Sequence, residues 1–190
     1  MIKSVPNKFI RSALHVFMTS MLLVSGAFAG QSAKLVCTSW SDDGCLDYEL
    51  WVSITADEDV GKTGAFGIGV WLWNSNKFAY WSVKDGFKAY DGGLVQPVEG
   101  VVPSLPAKRD YLIFKGSPSA LCSLSQGGFD LYAGRGIIPA DKVTQMDYLL
   151  KHNAKLPVDH IRGAYIQMDV NNNPWKVAKI FSWQCPVVAG

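Results

Sequence analysis

The chain has 190 residues, 48% of them hydrophobic, with 18 Lys and Arg against 16 Asp and Glu, four cysteines and seven tryptophans. Lys3, Lys8 and Arg11 all fall near the N-terminus, so the formal charge of +2 misleads: from Gly30 onward 15 basic residues meet 16 acidic ones. A near-neutral body without a Lys/Arg cluster lacks the electrostatic footprint of nucleic-acid binding, and at this length one domain suffices to bury most of its unfolded surface.

The three basic residues precede an apolar run, Ala13 to Val24, that ends in the small-residue site Ala27-Phe28-Ala29, so residues 1–29 are predicted to be a cleaved secretory signal. The apolar core is short and is interrupted by His15, Thr19 and Ser20, which argues against a retained anchor. Gly30 and not a cysteine stands directly after the cut, which argues against a lipoprotein, and nothing after Cys185 is long enough to span a bilayer. The expectation is a protein of the periplasm, the cell surface or the secreted fraction, without a stable membrane span after cleavage.

Residues 30–60 hold Lys34 against Asp42, Asp43, Asp47, Glu49, Asp57, Glu58 and Asp59, a segment of net −6. Such a segment can face a basic partner, a cation or the rest of its own domain. Calcium is the cation to weigh for Asp42, Asp43, Asp57, Glu58 and Asp59, but these loop carboxylates carry no ligand-spacing signature, and no resident metal or other cofactor is expected. Cys37, Cys45, Cys122 and Cys185 permit three pairings; an even count in an exported chain favours two disulfides, Cys37 with Cys45 across the turn SWSDDG and Cys122 with Cys185.

The first clear strand is LDYELWVSIT, where Leu46, Tyr48, Leu50, Val52 and Ile54 alternate with a wet face that includes Trp51. Next, AFGIGVWLW alternates Phe66, Ile68, Val70 and Leu72 with Gly67, Gly69, Trp71 and Trp73, and the turn Asn74 to Lys77 returns it into FAYWSV as a hairpin. Glycines on one face of a strand mark a bulge or a cover lying close over the backbone. FKAY follows Lys84-Asp85-Gly86, and the Pro-rich LVQPVEGVVPSLPAK is predicted to cross between sheets or edges. Short strands are expected at YLIFK and FDLYAG, a helix over 139–153 with Val143, Met146, Leu149 and Leu150 on one face, and a C-terminal hairpin formed by GAYIQMDV and WKVAKIFSWQC. The fold class is therefore mainly β: an antiparallel β-sandwich or partly open barrel with one helix, a single disulfide-stabilised domain over 30–190.

Catalytic motifs are scarce. Gly64-x-x-Gly67-x-Gly69 lies within a strand and lacks the helix N-terminus that a phosphate loop needs. Asp169-x-Asn171-x-Asn173 has the first positions of a calcium loop, but Pro174 and Ile180 replace its glycine and bidentate glutamate. There is no Gly-x-Ser-x-Gly elbow, and Asp159 and His160, adjacent in a chain, diverge rather than pair. What stands out is aromatic: Trp51, Trp71, Trp73 and Trp81 fall in predicted strands, and if the aliphatic face of the third segment is core, Trp71 and Trp73 look outward. The competing arrangement buries both faces, with the helix over 139–153 covering the tryptophans.

From Trp71 to Gly136 the order of features, carried by FAYWSVKDGFKAYDGG, the Pro103 to Pro106 stretch and FDLYAGRG, resembles a small non-catalytic β module of exported and surface proteins of Gram-negative bacteria. Phe87 and Tyr90 stand where that pattern has tryptophan, and Arg135 where it has an aromatic between glycines. The resemblance implies fold and compartment and brings no catalytic residue.

The function expected from all this is non-enzymatic: an exported binding domain, a component or accessory of a bacterial envelope or surface structure with a protein partner. Carbohydrate binding through surface aromatics is the alternative, and a periplasmic hydrolase the second.

Overall fold

The computed structural model describes residues 30–90, 97–123, 125, 127–152 and 176–185. The leader, the strand expected at 163–170, Asp159 and His160, the Asp169 to Asn173 turn and Trp175 lie outside the described residues.

Among the described residues, eight strands form two antiparallel sheets. Strands β1 (Gln31–Ser41), β2 (Gly44–Thr55) and β6 (Lys108–Gly116) make a three-stranded sheet ordered β1-β2-β6. Strands β3 (Gly64–Leu72), β4 (Lys77–Ser82), β5 (Gly86–Ala89), β7 (Gly128–Ile137) and β8 (Lys176–Gln184) make a five-stranded sheet ordered β5-β4-β3-β7-β8. The sheets face each other as a sandwich; β1 comes close to β8 on one side, and on the other the segment 97–107 crosses from the five-stranded sheet to β6, touching β3 through a bridge between Gly64 and Val102. The proline-rich stretch does there what its composition predicts.

The core follows the alternation read from the sequence. Leu50, Val52 and Ile54 of β2 have no exposed surface, and each contributes about 1.5–3 kcal/mol by leaving water. They meet Phe66, Ile68 and Val70 of β3 and Leu131 and Phe129 of β7 across the interior. Leu46, expected on the same face, is 49% exposed: β6 pairs with β2 only from Tyr48 to Thr55, so the first residues of β2 project past both β6 and the core.

Two elements go beyond the sequence reading. Strand β1 pairs with β2 from Gln31 to Ser41, with register shifts between Cys37 and Trp40 that break its alternation. A short helix α1 (Pro118–Ser123) connects β6 to β7, and the Ser117 hydroxyl accepts from the Ala120 amide at its start. The expected helix is α2 (Ala140–His152), whose first bonds run from the Lys142 and Val143 amides to the Pro139 carbonyl.

Both disulfides form with the favoured pairing, Cys37–Cys45 and Cys122–Cys185. They sit at one end of the sandwich: Cys37 pairs in register with Tyr48, the Tyr48 ring packs edge-on against Trp183, and the Trp183 indole donates to Cys122 Sγ. At the opposite end lie Thr55, the loop after it and the last turn of β7.

Candidate functional site

The four tryptophans singled out from the sequence do not share one face. Trp81 belongs to the interior: pairing of Val70 with Ala79 and of Trp81 with Phe87 places it among the core residues, tilted against Tyr111. Trp51 lies on the outer side of the three-stranded sheet, half-buried between Lys34 and Leu112 of the flanking strands. Its indole donates to Glu49, which also receives Lys115 at 2.9 Å. The Lys115 and Trp51 hydrogen bonds hold the Glu49 carboxyl below its usual value. Trp71 and Trp73 are on the far side of the molecule, on the outer face of the five-stranded sheet.

That outer face is built by register. Trp71 stands between Phe78 of β4 and Asp130 of β7, and Asp130 is paired with Ser182 of β8, so the row crosses four strands. One row further on, Gly69 sits between Tyr80 and Tyr132. The Phe78 ring leans over Gly69, in the space where a Cβ would stand, and packs edge-on against Tyr90. This answers why a glycine occupies the middle of an aromatic strand, and it also turns Phe78 away from Trp71. Among the described residues, the helix α2 covers the other end of the face, where Val143, Met146 and Leu149 pack on Ala65 and Ile138. Trp71 and Trp73 therefore remain 37% and 38% exposed.

Trp73 follows the end of β3. Its amide donates to the Gly128 carbonyl and its ring lies against Gly128, where a side chain would collide with it. The Ser182 hydroxyl donates to the Asp130 carboxylate at 2.6 Å, with Lys179 at 3.5 Å and the Trp73 indole in its vicinity. Burial pushes the Asp130 carboxyl upward, but Ser182, Trp73 and Lys179 outweigh it and keep it ionised at neutral pH. The result is a shelf with two indoles, an oriented carboxylate, a hydroxyl and an ammonium group. Asp130 and Ser182 are the members the sequence reading misses, because strand pairing alone brings them beside Trp71.

The acidic residues go elsewhere. Asp42 and Asp43 are exposed at the β1–β2 turn, whereas Asp57, Glu58 and Asp59 follow the other end of β2, roughly 36 Å along a 12-residue strand. They do not converge on one cation. Among the described residues, no group of three or more His, Cys, Asp or Glu side chains is placed to hold a metal ion. Asp57, Glu58 and Asp59 instead surround Arg135, which is 3% exposed. Its Nε donates to Asp59 at 2.9 Å, Nη1 to Asp57 at 2.9 Å and to the Thr55 carbonyl, and Nη2 to Glu58 at 3.0 Å. Lys176 reaches Glu58 and Asp59, and Lys62 reaches Asp59. Asp59, 1% exposed, would be raised by burial, yet the hydrogen bonds from Lys62, Arg135 and Lys176 lower its carboxyl to about 2. The segment thus meets the basic side chains of its own domain. Arg135, alone among apolar and glycine neighbours in FDLYAGRG, is the sequence signal for this lock.

Among the described residues a third exposed tryptophan, Trp40, is 62% exposed at the tip of the β1–β2 hairpin, beside the Cys37–Cys45 bridge.

In comparisons with known proteins, the chain matches no family model, no curated protein and no solved structure.

Proposed function

We propose that this protein is an exported, non-enzymatic binding domain of a bacterial envelope or surface structure, and that it makes contact through the outer face of its five-stranded sheet. The observation that carries this reading is the pair Trp71 and Trp73, each more than a third exposed on a sheet face where α2 packs on Ala65 and the Phe78 ring leans over Gly69. Large rings left open beside a rigid, paired backbone are the kind of anchor that dominates binding energy. Two disulfides fit a compartment outside the cytoplasm, and among the described residues no helix is long and apolar enough to cross a membrane. The resemblance of Phe78 to Gly93 and Phe129 to Gly136 to surface β modules supports the same compartment. The carboxylates of Asp57, Glu58 and Asp59 are engaged by Arg135 and lysines, which favours a structural duty over hydrolysis.

The test is retention of the oxidised protein on isolated envelope material, with acrylamide quenching of its tryptophans alongside. Trp71→Ala is expected to lose at least tenfold in retention with its Tm unchanged. Equal retention, or a Trp71 closed to acrylamide, refutes the reading.

A further inference from the structure

We infer that the ligand of this face is a neutral carbohydrate, stacked on Trp71 with its hydroxyls on Asp130; the inference rests on the binding reading above and names its ligand class. A pyranose presents an apolar C–H face and a rim of hydroxyl groups. Recognition needs a flat, polarisable surface for the first and fixed hydrogen-bonding groups at its border for the second.

The shelf supplies both in one row. Trp71 and Asp130 are directly opposed on β3 and β7, which puts their Cβ atoms about 5 Å apart. The carboxylate therefore borders the indole instead of lying beneath it. An ionised carboxylate offers about four lone-pair sites. The Ser182 hydroxyl fills one, and Lys179 stands at 3.5 Å, so capacity is left for ligand hydroxyl groups. The same contacts fix the carboxylate's orientation before anything binds, which reduces the ordering cost of association. Ser182 lies two strands from Trp71, roughly 10 Å away, so an oligosaccharide laid across the strands reaches from the ring to the hydroxyl and ammonium groups.

Charge decides between sugar classes. Asp130 is an acceptor at neutral pH and repels a carboxylate or sulfate at the point of closest approach, while Lys179 is already its partner. Neutral hexose and N-acetylhexosamine chains fit this border, and uronic or sulfated chains do not. A protein partner would need apolar area around the rings, but the row continues into Asp130, Ser182 and Lys179.

The experiment is an array of neutral and anionic oligosaccharides probed with the full oxidised protein, followed by titration of the neutral oligosaccharide giving the strongest signal. The expected result is binding of neutral chains that weakens at least tenfold in Trp71→Ala and in Asp130→Asn, is partly restored in Trp71→Phe, and is unchanged in Trp40→Ala. Tm values within a few degrees of one another show that the fold is intact. Three outcomes overturn the inference: binding that survives both substitutions, binding confined to anionic chains and abolished by salt, or no binding on the array while Trp71 stays open to acrylamide. The last leaves the contact face standing with a protein as its occupant, whereas a Trp71 closed to acrylamide removes the face as well.

Discussion

Replacing Arg135 by methionine keeps most of the side-chain volume and removes the guanidinium from four acceptors: Asp57, Glu58, Asp59 and the Thr55 carbonyl. Breaking a buried pair by deleting one partner costs about 3–5 kcal/mol, because the remaining charge is left in a poor environment. Here Asp59 keeps Lys62 and Lys176, both about half-exposed, which places the expected loss at the lower end, about 3 kcal/mol. Asp59→Asn should cost less. Lowering its carboxyl from 3.8 to about 2 corresponds to about 2.5 kcal/mol, at roughly 1.4 kcal/mol per pH unit, and Arg135 retains its other acceptors. Urea unfolding at pH 7, with a slope of roughly 2 kcal/mol/M, should show the Arg135→Met midpoint falling by about 1.5 M. The double variant should lose clearly less than the two single losses together, since both act on one network. A loss below about 1 kcal/mol for Arg135→Met, or strict additivity, would refute the idea that this cluster locks the loop after β2 onto β7.

The same cluster sets an acid limit. Because the folded carboxyl of Asp59 lies below its ordinary value, its contribution is complete above about pH 4 and is lost as the pH falls toward 2; the stability gap between the native protein and Asp59→Asn should close over that interval in urea titrations. Removing Cys122–Cys185, a separation of 63 residues, should cost about 4 kcal/mol against about 2.5 for Cys37–Cys45, a separation of 8, when the paired Cys→Ser variants are compared by denaturation. Trp81→Ala should cost about 3–5 kcal/mol as a core truncation, while Trp71→Ala should stay within about 1 kcal/mol; similar losses for both would contradict the assigned faces. Gly134→Ala places a methyl against the Lys176 carbonyl and Val177 of β8, and should lower stability by at least about 2 kcal/mol, read as a drop in Tm.

What the sequence discloses and what it withholds divide along a physical line. Alternation within a strand is local, so the buried sides of β2 and β3 are legible in Val52 or Ile68, and the spacing of Val143, Met146 and Leu149 identifies α2. Register between strands is not local. Nothing in FAYWSV tells whether Trp81 falls on the side of Val70 or of Trp71, and pairing of Ala79 with Val70 settles it only once the hairpin is formed. Asp130 and Ser182 are 52 residues apart, and Asp59 and Arg135 are 76 apart, so neither pair leaves a spacing to detect. Strand β1 is hidden for another reason: its irregularities between Cys37 and Trp40 shift the period halfway along. The aliphatic face predicted Trp71 and Trp73 to look outward and the helix to offer a cover; α2 reaches Ala65 but stops short of them.

The free margins of the two sheets bear on how such a protein survives at high local concentration. A bare strand margin is a template for joining another copy. Among the described residues, β5, at one edge of its sheet, is only four residues long, and β6, at an edge of the other, carries Lys108, Arg109, Asp110 and Lys115 among its nine residues. Strand exchange between copies is thereby discouraged at these two margins, and the aromatic shelf lies on a face and not at a margin.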